Sequence, residues 1–410
     1  MADHYDGLET RDPSEREAAL LAALPTVIAA AKDGAPAWAK RLADVDPAAL
    51  TTRAALAALP VLRKTEVMEA QQADPPFAGF LAVPPADLAR VYVSPGPVYV
   101  AQGREADPFG TARALFAAGV RPGDLVLNTF SYHMTPGAFI LESGLGALGA
   151  PVFAAGPVEM DKLLPLVSDV SPSVYVGVPD ALNILLDKAA QAGSDVTSLK
   201  KALVSGAALP GDLRARIEAR GVSVLQCYAT ADIGVIAYES EARDGLILNE
   251  DLIVEIVRPG TGDPVREGEV GEIVVTKLSG ALPLIRFATG DLTAVLEGVS
   301  PCGRTNTRIK GWMGRADQRT KVKGLFVDPA QIAKVAAAHP SITKARLVVS
   351  RADHADIMVL RAEGLDGAAT EAVAATLKTV TGLSGRVEAV AEGSLPNDGK
   401  VIEDTRPVDG

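Results

Sequence analysis

LPLIRFATGDLTAVLEGVSPCGRTNTRIKGWMGRADQRTKVKG, residues 282–324, decides how this chain is read. A strand-like opening over residues 282–287 runs into Thr289, Gly290 and Asp291. A loop holding Cys302-Gly303-Arg304-Thr305 follows, then Gly314-Arg315-Ala316-Asp317 and a basic run ending on Lys323 and Gly324. One carboxylate beside a flexible glycine, followed by several cations, suits a polar, anionic ligand at a domain junction.

The flanks differ from one another. From residue 90 to about residue 225, strand-like runs (90–93, 124–127, 151–154, 174–178, 202–204, 222–225) alternate with helix-like runs (107–118, 137–148, 179–192, 210–220). That alternation predicts an α/β fold with a parallel-rich sheet covered by helices on both faces, and ligands beyond the carboxyl ends of its strands. Ahead of it, residues 13–64 read as short helices divided by Pro36, Pro47 and Pro60, with Ser14 or Asp12 as N-cap and Glu17 placed for a capping box. After residue 249, runs 252–257 and 270–276 read as antiparallel strands around the turn cluster 259–264, a small β-subdomain. Beyond residue 324, helix-like runs 330–338 and 367–380 mix with strand-like runs 345–349, 357–361 and 386–390. The boundary is placed near Asp317, giving a large N-terminal domain over 1–316 and a small α+β C-terminal domain over 317–410.

A chain of 410 residues needs at least two cores, and 48% hydrophobic with 22% charged residues is a globular composition. The net charge of −11 argues against a nucleic-acid surface, though not against a nucleotide, which meets only local charge. Apolar runs are broken by charge well short of a bilayer span, so no membrane partner is expected. The acidic start MADHYDGLETRDPSERE lacks the regions of a signal peptide, and a cytoplasmic location is expected. Cys227 and Cys302 are too few for a disulfide framework or a four-cysteine zinc site.

TGD followed by GRAD and KVKG resembles the adenylate-forming superfamily of acyl- and aryl-CoA synthetases. The pairing of PLIRFATGD with CGRT is most similar to its phenylacetate–CoA ligase branch, over about residues 90–400. The resemblance implies ATP, CoA and Mg2+ as cofactors, a small-molecule carboxylic acid as partner, a mobile C-terminal domain, and an oligomeric state in which a homodimer stays open. Some relatives with a CxCGRT loop bind a structural metal; Ser300 stands in the first cysteine's place here, so none is expected.

The same resemblance assigns residues. Tyr228 in QCYATAD would lie against adenine, with Ala229 in the same nucleotide-binding segment, Thr230 and Ala231 near the phosphate, and Asp232 holding Mg2+ in place of the usual glutamate. The local alternative is a strand-end loop in which Asp232 caps the next turn. Ser205, Gly206 and Ala207 resemble the loop that runs along the adenine edge, where small residues permit close approach. Asp291 would accept both ribose hydroxyls, and Arg315 would pair with ribose or phosphate. Lys400, after Pro396-Asn397-Asp398-Gly399, would neutralise charge as the acyl oxygen attacks the α-phosphate. Asp317 would be the hinge, and Lys323 and Gly324 would border the CoA channel.

Ser94 and Gly96 occupy the position of the superfamily's phosphate loop. Pro95 and Pro97 lack amide protons and no lysine follows, so the loop reads as shortened. Tyr132, His133 and Met134 resemble the acyl-pocket segment and would line an apolar slot, with a core histidine as the alternative for His133. Two functions follow. The first is an ATP-dependent carboxylic acid–CoA ligase acting through an acyl-adenylate on an aryl or arylacetic acid. The second is a non-catalytic or redirected relative that binds AMP, acyl-adenylate or acyl-CoA.

Overall fold

A computed structural model describes residues 4–316, 318–323, 325–352 and 355–406. By compactness the chain falls into two units. The first comprises Met1–Val254, Val275–Phe287 and Leu296–Trp312; the second comprises Glu255–Val274, Ala288–Val295 and Met313–Gly410.

The first unit is built on the parallel strands Val152–Ala154, Val126–Asn128, Val174–Gly177, Lys201–Val204 and Ser223–Thr230, adjacent in that order within a nine-stranded sheet. Beyond Ser223–Thr230 the pairing turns antiparallel, to Gly234–Tyr238 and then Leu246–Leu248. Two apolar clusters hold the sheet: Leu115, Leu141, Leu145, Val174 and Val176 belong to one, and Leu163, Tyr175, Leu182, Leu186 and Val204 to the other. Sheet and helices therefore form the expected α/β architecture.

Helix Gly137–Leu148 has the predicted bounds, closed by Gly149 in the left-handed region at φ 71°. Helix Pro179–Ala192 has the predicted bounds; it opens on a proline at its first turn and is closed by Gly193. Helix 107–118 shortens to Ala112–Ala117, because the Asp107 carboxylate accepts from the Ala112 amide and Gly110 takes a left-handed turn before it. Helix Met160–Val170 was not anticipated; it carries Pro165 inside and a buried stripe of Leu163, Leu164 and Val167. In the N-terminal collar, Asp12 caps helix Pro13–Gly34 through the amides of Ser14 and Glu15. Glu17 forms no capping box; both its oxygens take the Arg53 guanidinium at 2.7 Å.

A smaller four-stranded sheet has the order Leu62–Arg63, Phe287–Thr293, Gly271–Lys277 and Leu252–Val257. The strand expected over 282–287 is displaced: it begins at Phe287 and carries Thr289, Gly290 and Asp291 inside it. The second unit contains the sheet Arg386–Val390, Ala355–Glu363, Lys344–Ala352 and Ile402–Asp404, packed with helices Pro329–Ala337 and Thr370–Thr381. Its core holds Ile332, Val335, Leu347, Val349, Leu360, Val373 and Leu377. Residues 255–274 group with this C-terminal part because the Asn397 side chain accepts from the Val270 amide at 2.9 Å and donates to the Gly268 carbonyl at 3.1 Å.

Candidate active site

In the first unit, the predicted segments follow the carboxyl ends of the parallel strands. Ser205 comes directly after Lys201–Val204; its amide donates to the Gly177 carbonyl at 3.1 Å and its hydroxyl to the Cys227 carbonyl at 2.8 Å. Through its amide and its hydroxyl together, Ser205 therefore ties three neighbouring strands to one another. Gly206 and Ala207 are exposed beyond it, and a Cβ on Gly206 would stand 3.5 Å from Phe130 and from Val178. Tyr228 is half-buried against Ala237, Leu246, Leu248 and Ile309. The register slips between Tyr228 and Ala229, an irregularity of the kind that re-aims side chains next to sites.

The turn after this strand is capped by Thr230, whose hydroxyl accepts from the Ile233 amide at 3.3 Å. Asp232 does not cap it. Its Oδ2 takes the Lys64 ammonium at 2.7 Å, while Oδ1 is buried and has no hydrogen-bond partner among the described residues. Below the turn, Lys277 donates to the Ile233 carbonyl at 3.3 Å and the Pro108 carbonyl at 2.7 Å. Burial pushes the Lys277 ammonium down to about 8.

Ser94 and Gly96 lie in the loop of a hairpin between Arg90–Val93 and Tyr99–Gln102. Ser94 closes that loop itself: its amide donates to the Val98 carbonyl at 2.8 Å and its hydroxyl accepts from the Val98 amide at 3.2 Å. Lys64, the first residue of helix Lys64–Ala73, lies along Gly96, with its Cε 3.1 Å from where a Cβ would be. Sequence reasoning missed Lys64. It stands far from the motifs along the chain, and no local spacing announces it.

Tyr132 is half-buried, donates to Glu142 at 2.6 Å and meets Phe139 edge-on at 5.3 Å. Burial, then the Glu142 carboxylate, raise its phenol well above the ordinary range. His133 and Met134 are exposed, so the core-histidine alternative for His133 does not hold. The backbone turns outward here, with Met134 in the left-handed region at φ 59° and its carbonyl accepting from Val93 at 2.9 Å.

In the second unit, Asp291 and Arg315 meet. Their backbones form an isolated antiparallel bridge and their side chains an ion pair at 2.8 Å. Gly290, at φ 74°, makes the approach possible, since a Cβ there would stand 2.6 Å from an Arg315 nitrogen. The Lys400 loop joins the same unit. Gln318 donates to the Gly399 carbonyl at 2.9 Å and accepts from the amides of Val401 and Ile402. The Lys400 side chain is exposed and lines a cavity with Val270, Ile332 and Asn397. Lys323 is exposed in the turn between Thr320–Val322 and Leu325–Val327, its amide held by Asp356 at 2.9 Å. The expected hinge Asp317 and the expected channel residue Gly324 lie outside the described residues. In the CGRT loop, Ser300 faces the Cys302 sulfur at 3.0 Å, and Arg304 is buried in an ion pair with Glu9 at 2.6 Å.

A parallel-rich sheet with its motif loops at the strand ends, together with TGD bridged to GRAD, defines an adenylate-forming enzyme. The pattern of the AMP-binding enzyme family matches residues 109–281. The chain is 31% identical to the phenylacetate–coenzyme A ligase of Thermus thermophilus over 75% of its own length and 72% of that protein's. It is 32% identical to the enzyme of the same name from Pseudomonas putida, over 74% and 71%. Among solved structures, a 2-hydroxyisobutyryl-CoA ligase in complex with 2-HIB-AMP matches at 27% identity and a TM-score of 0.71, covering 97% of this chain and 91% of that one. The chain belongs to the phenylacetate–coenzyme A ligase family, and it is an AMP-forming acid–CoA ligase that works through an acyl-adenylate. No helix among the described residues is long and apolar enough to cross a membrane.

Proposed function

We propose that this ligase activates an aryl or arylacetic acid, phenylacetate above all, using ATP. The acid's carboxylate oxygen attacks the α-phosphorus, the bond to the β-phosphate oxygen breaks, and pyrophosphate leaves. The CoA thiol then attacks the acyl carbon of the adenylate, AMP leaves, and the thiol proton passes to solvent. The protein supplies no covalent nucleophile; orientation and charge stabilisation carry both steps.

The observation that carries the reading is the Asp291–Arg315 pair at 2.8 Å on a bridge between the TGD and GRAD segments. A carboxylate anchored in a strand is suited to the two ribose hydroxyls, and a half-exposed guanidinium beside it to a phosphate. Tyr228 and the small residues Gly206 and Ala207 are the surface assigned to adenine. Lys400 is assigned to the charge that develops as the carboxylate attacks. The turn carrying Lys323 is assigned to thioester formation. Phe130, Tyr132 and Phe139 offer an aromatic surface for the acid. Asp232 fits magnesium through its buried, unpartnered Oδ1, since that ion needs only one or two carboxylates besides phosphate oxygens and water. When bound, magnesium neutralises phosphate oxygens. Two reduced, buried cysteines suit a cytoplasmic setting.

Acid-dependent AMP release, measured with CoA over phenylacetate, benzoate and short acyl acids and checked by pyrophosphate exchange, tests this. Turnover of short acyl acids alone would overturn the aryl assignment. A second reading, a relative that binds AMP or acyl-adenylate without using ATP, is favoured by the loop over residues 94–98, where Pro95 and Pro97 have no amide proton and the amides of Ser94 and Val98 are both engaged within the turn. Thermal-shift titration separates the two, because only native-state ligands raise the melting point. A shift with AMP and none with ATP and magnesium favours the second.

A further inference from the structure

We propose that Arg346 is a positioning residue for adenylate formation: it fixes the loop over residues 396–400, so that the Lys400 ammonium stands ready for the charge that develops as the carboxylate attacks. The inference rests on the reading of Lys400 given above. A lysine is a point charge on a flexible stem, and a stabilising charge is effective only where it is preorganised. The Lys400 side chain is exposed, so the backbone that carries it has to set where it starts from.

That backbone is gripped from strand Lys344–Ala352, where Lys344 and Arg346, two residues apart, share one face. Lys344 Nζ donates to the Leu395 and Pro396 carbonyls, each at 3.2 Å. One terminal nitrogen of Arg346 donates to the Pro396 carbonyl at 3.2 Å and to Asp398 Oδ1; the other donates to Glu403 at 3.2 Å. Asp398 Oδ1 in turn accepts from the Lys400 amide at 3.0 Å. One carboxylate oxygen thus joins the guanidinium to the backbone of Lys400, across Gly399 in its left-handed turn. A planar fork of donors matches this set of acceptors, and a compact ammonium does not. Stability alone is a poor reason for the arrangement. The Arg346 side chain is 4% exposed, whereas those of Asp398 and Glu403 are 36% and 35% exposed. Its Nε is buried and has no hydrogen-bond partner among the described residues. A guanidinium desolvated this far is paired with acids that remain partly in water, and a well-packed apolar side chain often serves stability equally well at such a position. What an apolar side chain cannot supply is the grip on Pro396 and Asp398.

The test measures the two steps separately on the full chain, with the most active acid of the panel above: pyrophosphate exchange for adenylation, and AMP release from that acid's adenylate and CoA for thioester formation. Arg346→Met removes the grip and keeps an unbranched side chain. It should slow exchange by about 10- to 100-fold, the range for a small misplacement of a reacting group, through kcat rather than the KM for acid or ATP. Thioester formation should be unchanged. Arg346→Lys should regain part of the loss, and Arg346→Met should add nothing to Lys400→Ala. Asp398→Ala breaks the same link at a partly exposed position and should reproduce the effect of Arg346→Met. If Arg346→Met does not fold, Asp398→Ala decides: a loss confined to exchange supports the proposal, and wild-type exchange overturns it. Equal loss in both steps, or a full further loss on top of Lys400→Ala, would make Arg346 a structural residue and overturn the proposal. Wild-type exchange in Lys400→Ala, or no exchange with any acid, would overturn it together with the reading of Lys400, whereas slow exchange in Lys400→Ala beside wild-type exchange in Arg346→Met would overturn the Arg346 role alone.

Discussion

Replacing Asp291 by asparagine separates a ribose-binding carboxylate from a merely structural one. Its side chain is 11% exposed and pairs with an Arg315 side chain that is 55% exposed. An ion pair with one half-solvated partner contributes at most about 1 kcal/mol, so unfolding in urea should change by no more than that. Asparagine preserves the shape and one acceptor oxygen but loses the charge. Each hydroxyl donated to a carboxylate is worth about 1.5–3 kcal/mol. Loss of the charge-assisted part of two such bonds, about 2–3 kcal/mol, corresponds to about 30- to 150-fold in affinity. The assay is calorimetric titration with AMP, which carries the ribose without the terminal phosphates. AMP affinity within about twofold of wild type would refute the ribose assignment. So would a matching loss of pyrophosphate affinity, because pyrophosphate has no ribose.

Other changes address other parts of the molecule. Lys400→Ala should slow acid-dependent pyrophosphate exchange by on the order of 100-fold or more, the range for one preorganised charge-stabilising donor. Because the Lys400 side chain is exposed, the same variant should melt as the wild type does. Gly399→Ala should destabilise the protein by about 1–2 kcal/mol in a urea titration, because residue 399 sits at φ 70°. The new Cβ would also stand 2.7 Å from Val270 Cγ1, which adds to the loss. Lys277 gives a pH signature, since burial lowers it from 10.5 to about 8 against the raising effects of Glu105, Asp107 and Asp251. Between those two values the folded protein has released this proton while the unfolded chain still holds it, so stability rises with pH. Relative to Lys277→Met, the wild type should gain up to about 3 kcal/mol on going from neutral pH to about 10.5, read from urea midpoints at each pH. No relative gain would mean that the ammonium is adequately solvated by its two carbonyls.

Most of the architecture was legible because its signals are local. Pro179 and Gly193 fix both ends of one helix, Gly149 ends another, and strands Leu252–Val257 and Arg386–Val390 stand where alternation places them. Contacts distant along the chain were not legible. Strand Tyr99–Gln102 is short and shows itself only through pairing with Arg90–Val93. Gly290 reads as a turn residue, yet it lies inside strand Phe287–Thr293, where it makes room for Arg315. Helix Met160–Val170 was hidden by Pro165, although its buried leucines keep a helical spacing. Among site residues, Asp291 and Arg315 were each legible from neighbouring motifs, though not their ion pair with one another, whereas Lys64 and Asp232 are separated by 168 positions and meet only in the fold.

The two carboxylates assigned to the nucleotide share a design that bears on how a polyanion can bind a chain of net charge −11. Asp232 and Asp291 have side chains only 7% and 11% exposed, while their partners Lys64 and Arg315 are 32% and 55% exposed. In each pair the acid is fixed by its strand or turn and the cation is the member free to move. Ligand phosphate can therefore draw the long, solvated side chain away without unfolding anything, provided the acid finds a new partner. Under the assignment proposed above, that partner would be a pair of hydroxyls for Asp291 and a divalent cation for Asp232. A buried carboxylate stripped of its cation and given nothing in return would cost several kcal/mol, so nucleotide and metal must arrive together at Asp232. It follows that ATP without magnesium should bind no better than AMP, and that Asp232→Asn, which needs no replacement cation, should narrow the gap between ATP with and without the metal.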